Sequence, residues 1–284
     1  IEGEAAENHM PGDISLEPNI VRVSGPESLV SEVVSAAVSV DITNFTNDIS
    51  TNVDIVLYDA AGRRLPIDRL SLNTGAVSLR IPILETKTVP IRYTVFGTPA
   101  FGYLLNGFES ASLRQIEIAG KGNAFHNFNV ISIPAELTDV SERTSSFTED
   151  INLNEFLPEG VRLVDRSLNT VQIAIGIEAE ASRDITLERN QMRVVNVPYG
   201  YEFRLVEMEG VPTLTLTGLR KDLDAIEEDG LIGEMDIAQY MDDRDIEELN
   251  EGVYNIPLEI EFSPNITVTN TVSVLVAISK AEMQ

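Results

Sequence analysis

The sequence predicts a mainly β fold of three tandem small β-rich domains, each with a short helix, arranged as an elongated array. One indication is a strand that ends in glycine and occurs three times, at Gly25, Gly120 and Gly218. Another is an alternating strand that follows each glycine at nearly constant spacing, at Val77–Ile83, Val171–Ile177 and Val272–Ile278. A period of about 95 residues matches whole small domains rather than the shorter units of solenoids. Valine, isoleucine and threonine are abundant and tryptophan is absent, so we expect aliphatic cores.

We therefore divide the chain into three domains, over residues 1–85, 86–179 and 180–284. The connecting segments around residues 85–87 and 178–180 are short and charged. Short linkers limit how far neighbouring domains can swing, which is why an elongated, semi-rigid array is expected. The first domain lacks the strand that opens the second domain, so we expect the parent protein to continue upstream of Ile1.

The second and third domains are predicted to open with a strand, which ends at Phe96 and Val197 respectively, followed by a turn and a further strand. The turns contain Gly102 and Tyr103 in the second domain and Gly200 and Tyr201 in the third. Prolines interrupt two of the strands, and because proline has no backbone N–H we expect an edge position or a bulge there. The strands are predicted at Ile14–Ser24, Phe108–Ala119 and Phe203–Thr217, with the prolines at positions 18 and 212.

A short helix is predicted after the repeated glycine, over residues 26–34 in the first domain and 219–228 in the third. Pro26 suits a first helical position, and the apolar residues of the third-domain segment share one helical face. The third domain also carries an insertion-like acidic stretch, Asp222–Glu251, in which we predict a second helix around Met241–Leu249. The next strands are predicted at Thr51–Tyr58, Phe147–Leu153 and Val253–Phe262.

The charge balance restricts the partners that the chain can bind. Acidic residues outnumber basic ones by 46 to 20, which gives a net charge of −26. Nucleic-acid-binding proteins place lysine and arginine on phosphates, so nucleic acid and anionic membrane surfaces are disfavoured. The chain has no cysteine, which excludes disulfides, thiolate metal ligands and a cysteine nucleophile.

The order of the repeated motifs resembles the YbbR domain, a bacterial module found in tandem. The likeness extends over about residues 2–280, and its motifs occur in the same order in successive domains. The segments that carry it are Val21-Arg22-Val23-Ser24-Gly25-Pro26, Asp41-Ile42-Thr43, Val89-Pro90, Gly97-Thr98-Pro99, Gly102-Tyr103, Gly200-Tyr201 and Met235-Asp236-Ile237.

This resemblance implies a non-catalytic, extracytoplasmic protein-interaction and regulatory array. In its most specific form, the protein partner is a membrane diadenylate cyclase, and binding regulates cyclic di-AMP synthesis. The resemblance also implies that the parent protein is anchored in the bacterial cell membrane by a segment outside this sequence. The alternatives are a structural or adhesive cell-surface array and a carbohydrate-active enzyme that uses paired carboxylates.

No catalytic, cofactor-binding or metal-binding residue is predicted, and no cofactor is expected. His9 and His126 lie in different domains at positions that do not correspond, and neither has metal-ligating residues at a suitable spacing. We therefore interpret both as surface residues. The acidic stretch does not fit a calcium-binding loop, because no glycine stands at the sixth position of either frame that opens on Asp222 or Asp224. Tyr103 and Tyr201 are matched between domains and are predicted to fold over their own cores, with a binding role as the alternative.

Overall fold

The computed structural model describes residues 1–206 and 210–281. The fold is mainly β, as the sequence predicts, and its helices are single turns or little more. No helix formed by the described residues has both the length and the apolar character needed to cross a membrane.

The strands and helices follow one another along the chain in this order. Up to residue 92 the elements are β1 His9–Pro11, β2 Ser15–Glu17, β3 Val23–Ser24, α1 Glu27–Val30, β4 Ser35–Ala37, β5 Ile49–Asp54, β6 Val56–Tyr58, β7 Ser71–Leu72, β8 Ala76–Ile81 and β9 Ile83–Arg92. The middle of the chain forms β10 Tyr103–Ala111, β11 Gln115–Gly120, α2 Gly122–Asn127, β12 Ile131–Ser132, β13 Phe147–Asn152, β14 Arg162–Leu163 and β15 Thr170–Ala179. The remainder forms β16 Ala181–Thr186, β17 Met192–Val195, β18 Tyr201–Leu205, β19 Thr213–Gly218, α3 Arg220–Asp224, β20 Gly233–Asp236, α4 Ile237–Asp242, β21 Gly252–Pro257, β22 Ile266–Val268 and β23 Ser273–Lys280.

Contacts between residues divide the chain into two compact units. Unit 1 contains Ile1–Val95, Ser110–Thr138 and Thr148–Ile173. Unit 2 contains Phe96–Glu109, Asp139–Phe147 and the described part of Ala174–Gln284. Each unit includes residues of the predicted second domain, and the division into domains 1–85, 86–179 and 180–284 stays a prediction.

Unit 1 is built from several small sheets. Its largest sheet has the order β1-β9-β11-β14 with antiparallel pairing, and β12 pairs with β9 in parallel. A second sheet has the order β2-β8-β5, and the two-stranded pairs β3-β7 and β4-β6 also lie in this unit. Two separate clusters of isoleucine, leucine and valine lie in this unit, one around Ile81 and one around Leu57.

Unit 2 contains two three-stranded antiparallel sheets, β16-β19-β22 and β18-β23-β21, and the parallel pair β17-β20. One cluster of buried side chains joins these sheets to α3 and α4. Aliphatic side chains such as Leu216 and Val276 dominate the cluster, and Tyr240 is its buried aromatic member. The aliphatic core expected from the composition is therefore present in this unit.

The repeated glycines are explained by close backbone approach. In each repeat, a side-chain Cβ at Gly25, Gly120 or Gly218 would meet the carbonyl oxygen of a crossing segment. The distances from that position are 3.0 Å to Arg69, 3.2 Å to Gly160 and 2.8 Å to Asn265, respectively. At Gly218 this distance is shorter than real Cβ contacts, and at Gly25 and Gly120 an added Cβ would force its neighbours to shift by a few tenths of an ångström. The repeated sequence motif thus marks the same packing requirement three times.

Prolines end strands where the sequence predicted interruption. β2 ends at Glu17, directly before Pro18, and β19 begins at Thr213, directly after Pro212. The long strand predicted at Phe203–Thr217 is therefore wrong: β18 and β19 are separate, and residues 207–209 of the predicted strand lie outside the described residues. A proline cannot donate the hydrogen bond that would continue either strand.

The predicted helices exist in two places but are shorter than expected. Residues 26–34 form only α1, and residues 219–228 form α3 followed by a 3₁₀ turn at Glu228–Gly230. An isolated turn of helix gains few backbone hydrogen bonds, so its length depends on packing that periodicity does not report.

The second helix of the acidic stretch lies earlier than the predicted Met241–Leu249. It is α4, which begins where the Asp236 side chain accepts a 3.0 Å hydrogen bond from the backbone N–H of Gln239. The chain leaves the helix at Asp243, and Asp245 has a φ of +51°. An aspartate at the N-cap fixes the start of a helix more strongly than hydrophobic spacing does.

Candidate functional site

A tight turn recurs at the same place in each repeat, directly before β1, β10 and β18. Its two central residues are Glu7 and Asn8, then Phe101 and Gly102, then Tyr199 and Gly200. The second of these residues has a positive φ in every case, +59°, +80° and +87° respectively. Glycine and asparagine tolerate this left-handed conformation, which explains their presence. The first central residue is left at the outer corner of the turn.

Backbone hydrogen bonds hold these turns in place. The N–H groups of His9 and Tyr103 donate to the carbonyls of Ala6 and Ala100, both at 3.0 Å. The carbonyl of the positive-φ residue also accepts a hydrogen bond from the end of the repeat. The donors are the N–H groups of Thr86, Glu180 and Ala281, at 2.7, 2.8 and 2.9 Å. The corner residue is thus presented by a fixed backbone.

Two of the three corner residues are aromatic and wholly exposed to solvent. Phe101 has a relative exposure of 103% and Tyr199 of 102%, whereas the first repeat has the acid Glu7 at this position. We call Phe101 and Tyr199 the aromatic turn tips. An aromatic ring carries a large apolar area, and proteins that leave such area in water commonly use it for binding.

The sequence analysis predicted that Tyr103 and Tyr201 fold over their own cores, and the structure confirms this for Tyr201. Tyr201 is partly buried and packs against the core of unit 2, and Tyr103 is half-buried at the start of β10. The aromatic turn tips lie two residues earlier. In the sequence both stand immediately before the turn glycine, a position that does not by itself distinguish an exposed ring from a buried one.

A second repeated feature, which we call the carboxylate clasp, lies at the other end of the loop that carries each turn. Its aspartates are Asp41, Asp139 and Asp236. Each aspartate forms a parallel β-bridge with the residue at which the chain enters the loop. These residues are Glu2, Phe96 and Val195, respectively. The following residues, Gly3, Gly97 and Asn196, again have positive φ, at +76°, +87° and +50°. The loop is therefore fixed at both ends.

In the first two repeats the clasp is an aspartate whose carboxylate accepts hydrogen bonds from a hydroxyl residue two positions later. Asp41 accepts from the Thr43 hydroxyl at 2.5 Å and from its N–H at 2.8 Å. The Ser141 N–H donates to Asp139 at 2.8 Å in the same way. These donors, the hydroxyl first and the backbone N–H second, hold the pKa of both aspartates below the usual value.

In the third repeat the same aspartate has a different partner. Asp236 caps α4 and also accepts a 2.6 Å hydrogen bond from the Asn196 side chain. The third repeat therefore keeps the clasp although it contains the acidic stretch. The side-chain amide of Asn196 and the N-terminus of α4 donate hydrogen bonds in place of the hydroxyl group.

The pKa of Asp41 provides a test of the clasp. Replacing Thr43 by valine removes the hydroxyl and keeps the backbone N–H, so we expect the pKa of Asp41 to rise towards its ordinary value. Because the folded-state pKa is depressed, the clasp adds stability above the unfolded-state value near 3.8 and loses it as the pH falls through the folded-state pKa. The variant should lose less stability than the wild type on acidification. Side-chain carbon NMR titration measures the shift, and Thr46→Val, a nearby exposed threonine, is the control. An unchanged pKa of Asp41 would contradict this account.

Both histidines lie beside β9, since His9 pairs with Glu85 and His126 contacts the same residue. His9 Nδ1 lies 2.8 Å from the carbonyl oxygen of Glu7, and His126 Nε2 lies 3.6 Å from Glu85 Oε1. No group of three or more His, Cys, Asp or Glu side chains among the described residues could hold a metal ion.

One cleft in unit 2 is rich in carboxylates. It has a volume of about 530 Å³ and is lined by Glu234, Asp236, Glu259 and Glu261, among others. Asp236 is occupied by its role in the clasp, and the carboxylate of Glu234 forms an ion pair with Arg193. The geometry of the aromatic turn tips therefore offers a clearer binding site than this cleft.

Similarity to a known protein family is found in the first part of the chain. Residues 1–68 match the family model described as YbbR-like protein. A crystal structure of a YbbR-like protein from Streptococcus pneumoniae is 14% identical, with a TM-score of 0.23, and the match covers 70% of this chain and 96% of that chain. A solution structure of a protein from Streptococcus thermophilus is 20% identical, with a TM-score of 0.27, covering 34% of this chain and 86% of that chain. No curated protein matches the chain.

Proposed function

We propose that the chain is a non-catalytic array that binds a protein partner, and the match of residues 1–68 to the YbbR-like family model supports this proposal. In the specific form of this proposal, the partner is a membrane diadenylate cyclase, and binding changes the rate of cyclic di-AMP synthesis. The array acts outside the cytoplasm, on a parent protein anchored in the membrane.

The observation that carries the proposal is the repetition of one presented loop. The same turn and the same clasp occur three times, and two of the turns display an exposed aromatic ring. Repeated, similar contacts suit a protein that binds its partner at several points, because linked contacts raise the overall affinity. An enzyme site instead brings unequal groups together in one cleft.

The alternative function is that of an adhesive surface array. In its immunoglobulin-like form it calls for two facing sheets of about seven strands in all and no helix within each copy. The helical turns α1, α2 and α3 follow the repeated glycine of each repeat, which favours the YbbR-like reading over that form.

The regulatory proposal is tested by co-expressing the full parent protein with a membrane diadenylate cyclase and measuring cyclic di-AMP. We expect the nucleotide level to change by about fivefold or more relative to the cyclase alone, at equal cyclase abundance, as is typical for coupled binding. A cyclase with an inactivated catalytic site is the control for nucleotide made by other enzymes. An unchanged level would exclude the regulatory function while leaving a binding array in place.

A further inference from the structure

We propose that the aromatic turn tips, Phe101 and Tyr199, are the contact points by which the chain holds its protein partner. Each ring would seat in an apolar recess of the partner, and basic side chains would flank the recesses. This inference rests on the proposed function, since it names the surface through which the array would act on its partner.

The first argument is the cost of exposing these rings. An aromatic side chain buries roughly 150–250 Å² when it packs in a core or an interface. Tyr201, only two residues from Tyr199, packs against the core of unit 2, so this region of the chain does provide cover for a ring. Phe101 and Tyr199 are nevertheless wholly exposed. Covering either ring with a partner would therefore recover apolar area that folding leaves in water.

The second argument is that the rings are presented on a rigid backbone. The positive φ of Gly102 and Gly200 fixes the turn, and the carbonyls of these glycines accept hydrogen bonds from Glu180 and Ala281. A contact residue held in its bound conformation loses little conformational entropy on binding. Aromatic residues, phenylalanine and tyrosine included, are also enriched at the centres of protein interfaces.

The third argument comes from comparing the repeats. The second and third repeats place a ring at the corner, and the first places the carboxylate of Glu7 on the same turn. The turn itself therefore does not require an aromatic residue, since asparagine and a hydrogen bond of 3.0 Å close it in the first repeat. The rings of Phe101 and Tyr199 serve something other than the local fold.

The charge of the chain favours a protein over a lipid surface as the occupant. The net charge of −26 repels anionic bilayers. Glu180 is hydrogen-bonded through its N–H to the turn of Phe101, and Glu202 follows Tyr199 closely in the chain; both are exposed. A protein surface that combines apolar recesses with lysine or arginine complements this arrangement. Such complementarity also speeds encounter and selects against wrong partners.

The test compares three forms of the full parent protein: the wild type, the double variant Phe101→Ser with Tyr199→Ser, and the single variant Glu7→Ser. The single variant changes the same turn position where no ring is present, so it is the matched control. Purified diadenylate cyclase in detergent is the probe, and its binding is measured by titration alongside cyclic di-AMP in co-expressing cells. Because both rings are exposed, equal thermal unfolding midpoints should show that the variants fold.

We expect the double variant to bind at least about tenfold more weakly, as loss of hot-spot residues does, and to lose the effect on cyclic di-AMP. The control should behave as the wild type. If the wild type changes the nucleotide level and the double variant does so equally, the tips are not the contact and the proposed function stands. If the wild type neither binds nor changes the nucleotide level, the proposed function fails and this inference fails with it.

A sedimentation assay separates the protein surface from the lipid surface. The wild type and the double variant are mixed with vesicles of phosphatidylglycerol and phosphatidylethanolamine. We expect no vesicle binding by either form. Binding by the wild type that is lost in the double variant would overturn the inference, because the rings would then be membrane anchors.

Discussion

Replacing Leu216 by alanine should lower the free energy of unfolding by about 3 kcal/mol, within the range of buried leucine-to-alanine changes. Leu216 is completely buried and lies in β19, the central strand of its sheet, between β16 and β22. The smaller side chain leaves a cavity in the cluster that joins the sheets of unit 2 to α3 and α4. Urea-induced unfolding followed by circular dichroism measures the loss.

The matched control for this change is Leu275→Ala in the same unit. Leu275 lies in β23 but is 42% exposed, so its removal should change the free energy of unfolding by no more than about 0.5 kcal/mol. Equal losses for Leu216 and Leu275 would show that the core of unit 2 is not where the structure places it.

Replacing Gly218 by alanine should cost about 2 kcal/mol, the typical penalty for inserting atoms into a filled space. The new methyl group would meet the carbonyl oxygen of Asn265 at 2.8 Å and Ile266 at 3.7 Å. These atoms belong to the backbone or lie close to it, so β22 would have to move away from β19. The fall in the thermal unfolding midpoint measures the effect.

Gly230→Ala is the control for backbone effects of the same substitution. A methyl group there meets nothing within 4 Å, and Gly230 lies in the same unit, at the end of a 3₁₀ turn. We expect a change near zero, or a slight gain because alanine reduces the freedom of the unfolded chain. A neutral Gly218→Ala variant would mean that the repeated glycine has another role.

The closing strand of each repeat could be predicted from the sequence because its pattern is local. Residues 77–81 alternate apolar and polar, and in β8 the same residues alternate buried and exposed. The period of two is a property of an extended backbone, so it needs no knowledge of the partners. The same reasoning placed β15 and β23 within about two residues of their observed bounds.

The helices were predicted less well and the exposed aromatic rings were not predicted, because both depend on distant contacts. The start of α4 follows from the cap by Asp236, which periodicity around Met241 does not reveal. Tyr199 and Tyr201 stand on either side of the same glycine, and only their packing separates an exposed ring from one that covers a core. Whether a side chain lies in the core or in solvent is decided by tertiary packing.

By itself, the sequence determined that one arrangement of strands, glycines and turns recurs along an acidic chain with an aliphatic core. Those features depend on the local alternation of apolar and polar residues and on glycines, whose backbone is unusually free. They can therefore be recognised from the sequence alone. Only the tertiary structure decided why the glycine recurs, since Arg69, Gly160 and Asn265 arrive from segments at least about 40 residues away along the chain. It likewise decided that Phe101 and Tyr199 face solvent, because exposure is the outcome of every other segment having packed elsewhere.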